Sequence, residues 1–170
     1  MHARNRIFLA FVPLSLIASI GMYESSGTKP VEKPYKDIVG VLTVCHGYTG
    51  KDIVKDKIYT EKECNELTIK DIDKHSRAVL QCINVQISQK EYEAYTSLAY
   101  NIGPSAFCSS NIVKTLNSGN HELACKGIYQ HPNGKPAWSN AGGKYVQGLQ
   151  NRRYKEYLTC ISGLPWKEPV

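Results

Sequence analysis

The segment YKDIVGVLTVCHGYTG, residues 35 to 50, carries the strongest indication of the fold. Its β-branched residues and its glycines predict two short strands that form a hairpin. Asp37 lies at the lip of this hairpin, and Thr43 follows six positions later. A carboxylate beside a hydroxyl can activate a water molecule, but this spacing also arises by chance in most proteins.

Helical signals follow the hairpin. Thr60 opens TEKE and Ser88 opens SQKE, and each is a capping box at the start of a helix. We expect the first helix to reach about Cys82 and the second to end at NIGP, residues 101 to 104. Few strands followed by helices indicate an α+β fold.

The remaining residues predict shorter helices separated by turns. One should run from Ser110 to Leu116, and another should start at Asn120 or His121. The segment 131–148 is rich in glycine and proline and is expected to be loop. A final helix is predicted over residues 149–161.

Length and composition indicate one folded domain with a real core. The chain has 170 residues, of which 42% are hydrophobic and 21% charged, and a formal net charge of +6. This charge favours contact with polyanions such as nucleic acid, anionic lipid or an acidic cell wall. Because no nucleic-acid motif or long basic run is present, we expect no nucleic-acid partner.

The cysteine pattern favours disulfides over a metal site. No two cysteines form CxxC and no histidine pair has zinc spacing, so neither a metal nor another cofactor is expected. An even, spread set fits an oxidising compartment, although six buried free thiols remain an alternative. Six cysteines allow 15 pairings. They are Cys45, Cys64, Cys82, Cys108, Cys125 and Cys160.

The N-terminus predicts export. Arg4 and Arg6 precede an uncharged run of 16 residues, Ile7–Met22. This run is either a cleaved signal peptide or a weak anchor that later leaves the membrane, since it falls short of the roughly 20 residues of a membrane helix. Both readings place the rest of the chain outside the cytoplasm. We therefore separate residues 1–22 from a domain at 23–170, which starts with a polar connector over 23–34.

Five collinear motifs cover nearly the whole chain. They are YKDIVGVLTVCHGYTGKDI (35–53), YTEKEC (59–64), SLAYNIGPSAF (97–107), IVKTLNSGN (112–120) and W-x2-AGGK-x3-GL-x2-RR (138–153). These motifs resemble those of the phage-type lysozymes, glycoside hydrolase family 24, and more closely those of lambdoid-phage endolysins. The weak anchor resembles that of the signal-anchor-release subgroup.

The resemblance implies a lysozyme-like fold and two catalytic carboxyl groups. The family pattern is Glu, eight residues, Asp, five residues, Thr. Asp37 and Thr43 fit it, but Thr28 stands where the Glu belongs. We favour Glu24 as the acid, with four extra residues in the connecting loop, because loop insertions have a small entropic cost. Glu32 or an inactive protein are the alternatives.

The resemblance also implies roles away from the carboxyl groups. Tyr100, Asn101 and Gly103 match the family's turn near the cleft, where Asn101 either binds sugar N-acetyl groups or is structural. Trp138 is expected in the core. Arg152 and Arg153 are expected to hold the last helix or to touch the wall. From neighbouring segments of this fold we expect the disulfides Cys45–Cys64, Cys82–Cys108 and Cys125–Cys160.

The function implied is hydrolysis of the β-1,4 bond between N-acetylmuramic acid and N-acetylglucosamine in peptidoglycan. The alternatives are an inactive wall-binding or regulatory protein, and a lytic transglycosylase, which does not need Asp37 or Thr43. We expect a periplasmic monomer that residues 7–22 first tether to the inner membrane. While they span the bilayer, Glu24 would be held at the membrane face and the active site could not assemble.

Overall fold

The computed structural model describes Leu16, Ile20, residues 30–36 and residues 40–165. These residues fall into two compact units that divide between Lys74 and His75. We call them the N-terminal unit and the C-terminal unit. A small antiparallel hairpin lies in the first, and helices dominate the second, which confirms the predicted α+β class.

The predicted hairpin forms in the N-terminal unit. Strand β1, Val31–Lys36, pairs antiparallel with β2, Leu42–Cys45, so that Tyr35 lies opposite Thr43. The register is irregular between Val31 and Tyr35. The last residue of β1 is Lys36, and residues 37–39 are not among those described.

The prediction of a polar connector over residues 23–34 was wrong for residues 31–34, because these belong to β1, which begins at Val31. β1 contains Pro34, which cannot donate a hydrogen bond to a sheet. The hairpin has two strands and tolerates a proline at its edge. On the other side, Glu32 accepts a backbone hydrogen bond of 2.8 Å from Tyr59 N–H, which fixes the strand there.

A small apolar cluster supports the hairpin. Its buried members include Val44, Tyr48 and Tyr59, which pack around the disulfide Cys45–Cys64. Cys45 has a φ of 60°, an uncommon conformation for a residue with a side chain. The reciprocal backbone hydrogen bonds between Val44 and Tyr48, both 2.9 Å, hold the turn that requires it.

Six helices follow. The two capping boxes were predicted correctly: Thr60 N–H donates to Glu63 at 2.9 Å, and Ser88 and Glu91 cap each other. The short α3 was missed. The helices are α1 (Glu61–Cys82), α2 (Gln89–Ile102), α3 (Pro104–Cys108), α4 (Asn111–Asn117), α5 (His121–Lys126) and α6 (Gln147–Ile161).

The C-terminal unit contains the larger core. Helix α2 packs most extensively against α6 and contributes Tyr95 and Leu98, both fully buried. Phe107 of α3 contacts Tyr95, with ring centroids 5.6 Å apart. The predicted disulfides Cys82–Cys108 and Cys125–Cys160 are present, so all three pairings are confirmed.

The segment 131–148 was predicted as loop, yet it contains a second hairpin. Strands β3, Asn140–Ala141, and β4, Lys144–Tyr145, pair antiparallel across Gly142 and Gly143. Both glycines have positive φ, 56° and 77°, which the tight turn requires. The Gly-Gly dipeptide was the signal that could have predicted it.

Trp138 lies just before this hairpin and packs on the large core, although it is only half-buried. Its φ of 54° is unusual for a bulky residue. The flanking Ser139 is buried, and its hydroxyl oxygen lies 2.8 Å from the carbonyl oxygen of Ala137 and 2.5 Å from Oε1 of Gln150, so its single proton is donated within this pair of acceptors. These contacts hold the backbone in that conformation.

Candidate active site

The carboxyl groups predicted to do the chemistry, Glu24 and Asp37, lie outside the described residues, as does Thr28. The alternative acid Glu32 is described, and it lies exposed on β1. A general acid of this type needs apolar surroundings that raise its pKa. The exposed position of Glu32 does not provide them.

Thr43 is the catalytic candidate that the structure describes. It lies on β2, opposite Tyr35, and is 3% exposed. Its Oγ1 donates a hydrogen bond of 3.1 Å to the carbonyl oxygen of Val41. Because the hydroxyl proton is engaged there, the oxygen lone pairs remain able to accept a hydrogen bond from water.

Tyr100 lies in the last turn of α2, in the C-terminal unit. Its ring packs against the imidazole of His75, with centroids 5.0 Å apart and planes tilted by 54°. Both side chains are half-buried. The sequence did not suggest this contact, because the two residues are 25 positions apart and His75 matches no motif.

Asn101 and Gly103 have different parts in the same turn. Gly103 ends α2, donates its N–H to the carbonyl of Ala99 at 2.9 Å, and has a φ of 89°. Nothing lies within 4 Å of a Cβ built there, so the backbone conformation is what requires glycine. Asn101 is exposed at the end of the helix, which leaves its amide accessible to a ligand.

A buried carboxylate, Glu156, holds α6 against α2. Ser97 Oγ donates to it at 2.6 Å, while Arg152 Nε lies 3.2 Å and Arg153 Nε 2.8 Å from its oxygens. Burial raises the pKa of Glu156, and the charges of Arg153 and Arg152 oppose that effect. Arg152 and Arg153 had been expected either to hold the last helix or to touch the wall. They are 6% and 0% exposed, which agrees with the first role.

The sequence did not identify Glu156 as the partner of these arginines. The available signal was its spacing, three residues after Arg153 and four after Arg152, which places all three on adjacent turns of one helix.

In the part of the chain that the structure describes, no cluster of His, Cys, Asp or Glu could hold a metal ion. None of the helices described there is long and apolar enough to cross a bilayer.

Comparison with known proteins confirms the resemblance to the phage lysozymes and the predicted lysozyme-like fold. The phage lysozyme family profile matches residues 26–156. The SAR-endolysin of Bacteriophage PS119 is 39% identical over 151 residues, and that of Enterobacteria phage P21 is 40% identical over 151; each alignment covers 86% of this chain and 86% and 87% of the relative. The crystal structure of a mutant P22 lysozyme is 27% identical, with a TM-score of 0.71, over 88% of this chain and 97% of that one. This chain belongs to the phage lysozyme family.

Proposed function

We propose that this protein is an endolysin that hydrolyses the β-1,4 bond between N-acetylmuramic acid and N-acetylglucosamine, with Glu24, Asp37 and Thr43 at its catalytic centre. Family membership and the relatives named SAR-endolysin support lysis of peptidoglycan. The observation that carries the residue assignment is the buried Thr43 hydroxyl on β2, six positions after Asp37.

In the proposed mechanism Glu24 donates its proton to the glycosidic oxygen as the C1–O bond breaks. A water oxygen bonds to C1, and its proton passes to Asp37. Thr43 accepts a hydrogen bond from that water, because its own proton is engaged by Val41. An inverting reaction of this kind places the two carboxyl groups about 6.5–9.5 Å apart, with the water between them.

Loss of turbidity in suspensions of purified peptidoglycan tests these roles. We expect Glu24→Gln to lower the rate by about 10²–10⁴-fold, the usual contribution of a general acid. Glu32→Gln is the matched control, and we expect it to retain the rate of the unsubstituted protein. Full activity in Glu24→Gln together with loss in Glu32→Gln would transfer the acid to Glu32.

Two further substitutions test the hairpin. Asp37→Asn keeps the shape of the side chain but removes the base, so it should lower the rate strongly. Thr43→Val keeps the shape and removes the hydroxyl, and a smaller loss is expected. An unchanged rate in both variants would refute the assigned roles.

We also propose that residues 7–22 tether the exported chain to the inner membrane and then leave the bilayer. Leu16 and Ile20 support this proposal, since both are helical and buried, at 2% and 0% exposure. Side chains that face lipid in a tether would thus be used again in the folded domain. The proposal places the released enzyme in the periplasm, as a monomer.

A stronger anchor provides the test. Ser15→Leu, Ser19→Leu and Gly21→Leu together lengthen the uninterrupted apolar run and should keep the protein in the membrane fraction, with host lysis delayed or lost. Matched polar replacements at the same three positions, to Asn, should not retain it. Normal lysis by the leucine variant would contradict release. Light scattering on the purified protein tests the monomer by its mass.

A further inference from the structure

An open groove on the C-terminal unit is separate from every residue assigned above. It has a volume of about 710 Å³, within the range of small-molecule sites, about 300–1,000 Å³. One wall carries the polar side chains Ser118, Asn120, His121 and Glu122. The other wall is formed by the end of α6 and the residues after it, which are mainly apolar.

His121 is fixed by a buried carboxylate. Its Nδ1 lies 2.6 Å from Oε1 of Glu91, a residue with no exposed surface. The second oxygen of Glu91 accepts the backbone N–H of Ser88 at 2.8 Å, so the carboxylate cannot rotate freely. Because the carboxylate takes up Nδ1, the Nε2 atom of this partly exposed ring is left for a ligand.

Tyr157 supplies an aromatic surface at the groove. Its ring packs at 4.4 Å from that of Tyr129 and 6.0 Å from that of Tyr154, which is 48% exposed. The three rings form a cluster that continues from the groove onto the surface. Burial raises the pKa of Tyr157, and the neighbouring Tyr129 and Tyr154 and the charge of Glu122 add to this. Tyr157 and Glu122 both line the groove.

The groove lies at the other end of α2 from the predicted substrate-binding turn. Glu91, behind His121, is the third residue of that helix, and Asn101 is ten residues further on. At 1.5 Å per residue the two are separated by roughly 15 Å along the helix axis. A ligand in the groove would therefore be additional to one at Asn101 and Gly103.

The chemistry of the lining selects one class of ligand. Of the nine described residues that form the groove, none is Lys or Arg, and Glu122 adds a negative charge. Peptide stems of peptidoglycan carry carboxylates and are disfavoured there. A neutral sugar suits it, because the C–H face of a pyranose packs on an aromatic ring while its hydroxyls bond to polar side chains. Ile161, Leu164 and Pro165 can receive an acetamido methyl group.

We propose that this groove binds an N-acetylhexosamine unit of a glycan strand, with Tyr157 under the sugar ring and His121 and Glu122 on its hydroxyls. The inference rests on the proposed function, since that supplies the polymer. A second contact with the same strand raises the effective concentration of the enzyme on the wall. It would keep the enzyme on an insoluble substrate between cuts.

The test uses the N-acetylglucosamine tetramer as the probe and the amide signals of the isotope-labelled full chain as the readout. We expect the tetramer to shift the signals of residues 118–122 and of Tyr157, apart from any shifts at 97–103. Tyr157→Leu and Glu122→Gln should weaken binding at the groove, the first by about ten-fold. Glu66→Gln removes an exposed carboxylate elsewhere, on α1, and should leave the groove affinity unchanged.

The inference is overturned if saturating tetramer leaves residues 118–122 unmoved, or if Glu122→Gln binds with the affinity of the unsubstituted protein at these signals. The first of these readings needs no substitution, so it stands even if Tyr157→Leu fails to fold. Clearing of purified peptidoglycan by the unsubstituted protein reports separately on the proposed function. An active protein with an unmoved groove would therefore refute the groove alone.

Discussion

The N-terminal unit packs a few apolar side chains around the Cys45–Cys64 disulfide, whereas the C-terminal unit has a large apolar core and also buries charged side chains. Their ion pairs differ in the same way. Lys57 and Glu63 of the first unit lie 2.6 Å apart on the surface, with 40% and 34% of their side chains exposed. Glu156 and Arg153 of the second are 3% and 0% exposed. Water and salt screen the first pair and not the second.

This difference decides what the loss of one partner should do. An exposed charge without its partner returns to water at little cost, but a buried one keeps its full desolvation penalty. The C-terminal unit should therefore respond strongly to single changes in its ion pairs. The N-terminal unit should respond more strongly to changes that reach its small core.

The largest expected effect is that of Glu156→Ala. It removes the carboxylate between Arg152 and Arg153 and leaves two charges in the interior, so we expect the free energy of unfolding to fall by about 3–5 kcal/mol. Urea unfolding followed by circular dichroism measures it. Lys70→Ala, which breaks the exposed pair with Asp52, is the control and should have little effect. Equal changes in the two variants would contradict the comparison.

The disulfides offer a second test. In the chain-entropy model, Cys45–Cys64 closes a loop of 19 residues and stabilises the protein by about 3 kcal/mol. Cys125–Cys160 closes a loop of 35 residues and stabilises it by about 4 kcal/mol. Removal of Cys125–Cys160 should therefore lower the free energy of unfolding slightly more. Removal of Cys45–Cys64 should have the larger local effect, since these sulfurs lie within the small cluster. In each variant both cysteines of one disulfide are replaced by serine, so the two variants carry the same kind of substitution.

Hydrogen exchange distinguishes the two disulfide variants. Without Cys45–Cys64 the amides of Val44 and Tyr48 should exchange faster than those of α2. Activity should also fall if Thr43 has its proposed role, because it lies on the same strand. Without Cys125–Cys160 the protection of amides from hydrogen exchange should decrease throughout the C-terminal unit. Unchanged exchange at Val44 in the first variant would show that the cluster holds the hairpin without its disulfide.

The sequence predicted best where the signal is local. The two capping boxes placed α1 and α2 because the residues that interact are three positions apart. The β3–β4 hairpin was missed because its strands have two residues each, too few for an alternating pattern. The packing of Tyr100 on His75 could not be read from the sequence, since it depends on how distant segments meet.

Of the candidate catalytic residues, the motif indicated Thr43 by its spacing, and its catalytic role stays a prediction. Thr43 follows the family spacing, and the structure places it buried on β2. The partners of Arg152 and Arg153 depend on which face of α6 is buried, and that face is selected by α2 through Ser97. A polar residue buried by tertiary packing has no periodic signature of its own.

The two capping boxes allow a smaller, closely matched comparison. Ser88→Ala and Thr60→Ala each remove a side-chain cap. Each substitution should lower the free energy of unfolding by about 1 kcal/mol. Ser88 should cost more, because its box also contains Glu91, which is buried and holds His121. The cap at Thr60 is exposed. Thermal unfolding of the two variants measures the difference, and a larger loss in Thr60→Ala would contradict it.

The smallest expected effect is the pH dependence of the exposed pairs. Lys57, with the Thr60 amide, lowers the pKa of Glu63 from 4.5 to about 2, and hydrogen bonds from Lys70 and Tyr48 lower the pKa of Asp52 from 3.8 to about 2. A lowered carboxyl pKa gives stability that is complete above the unfolded value and is lost as pH falls through the folded one.

The N-terminal unit should therefore lose protection between about pH 4.5 and pH 2, gradually, and less at high salt because both pairs are exposed. Hydrogen exchange at Tyr59 and Val44 as a function of pH follows this loss. Lys57→Met removes the main cause of the lowered Glu63 pKa and should flatten the dependence. A variant that kept the full dependence would assign it to carboxyl groups other than Glu63.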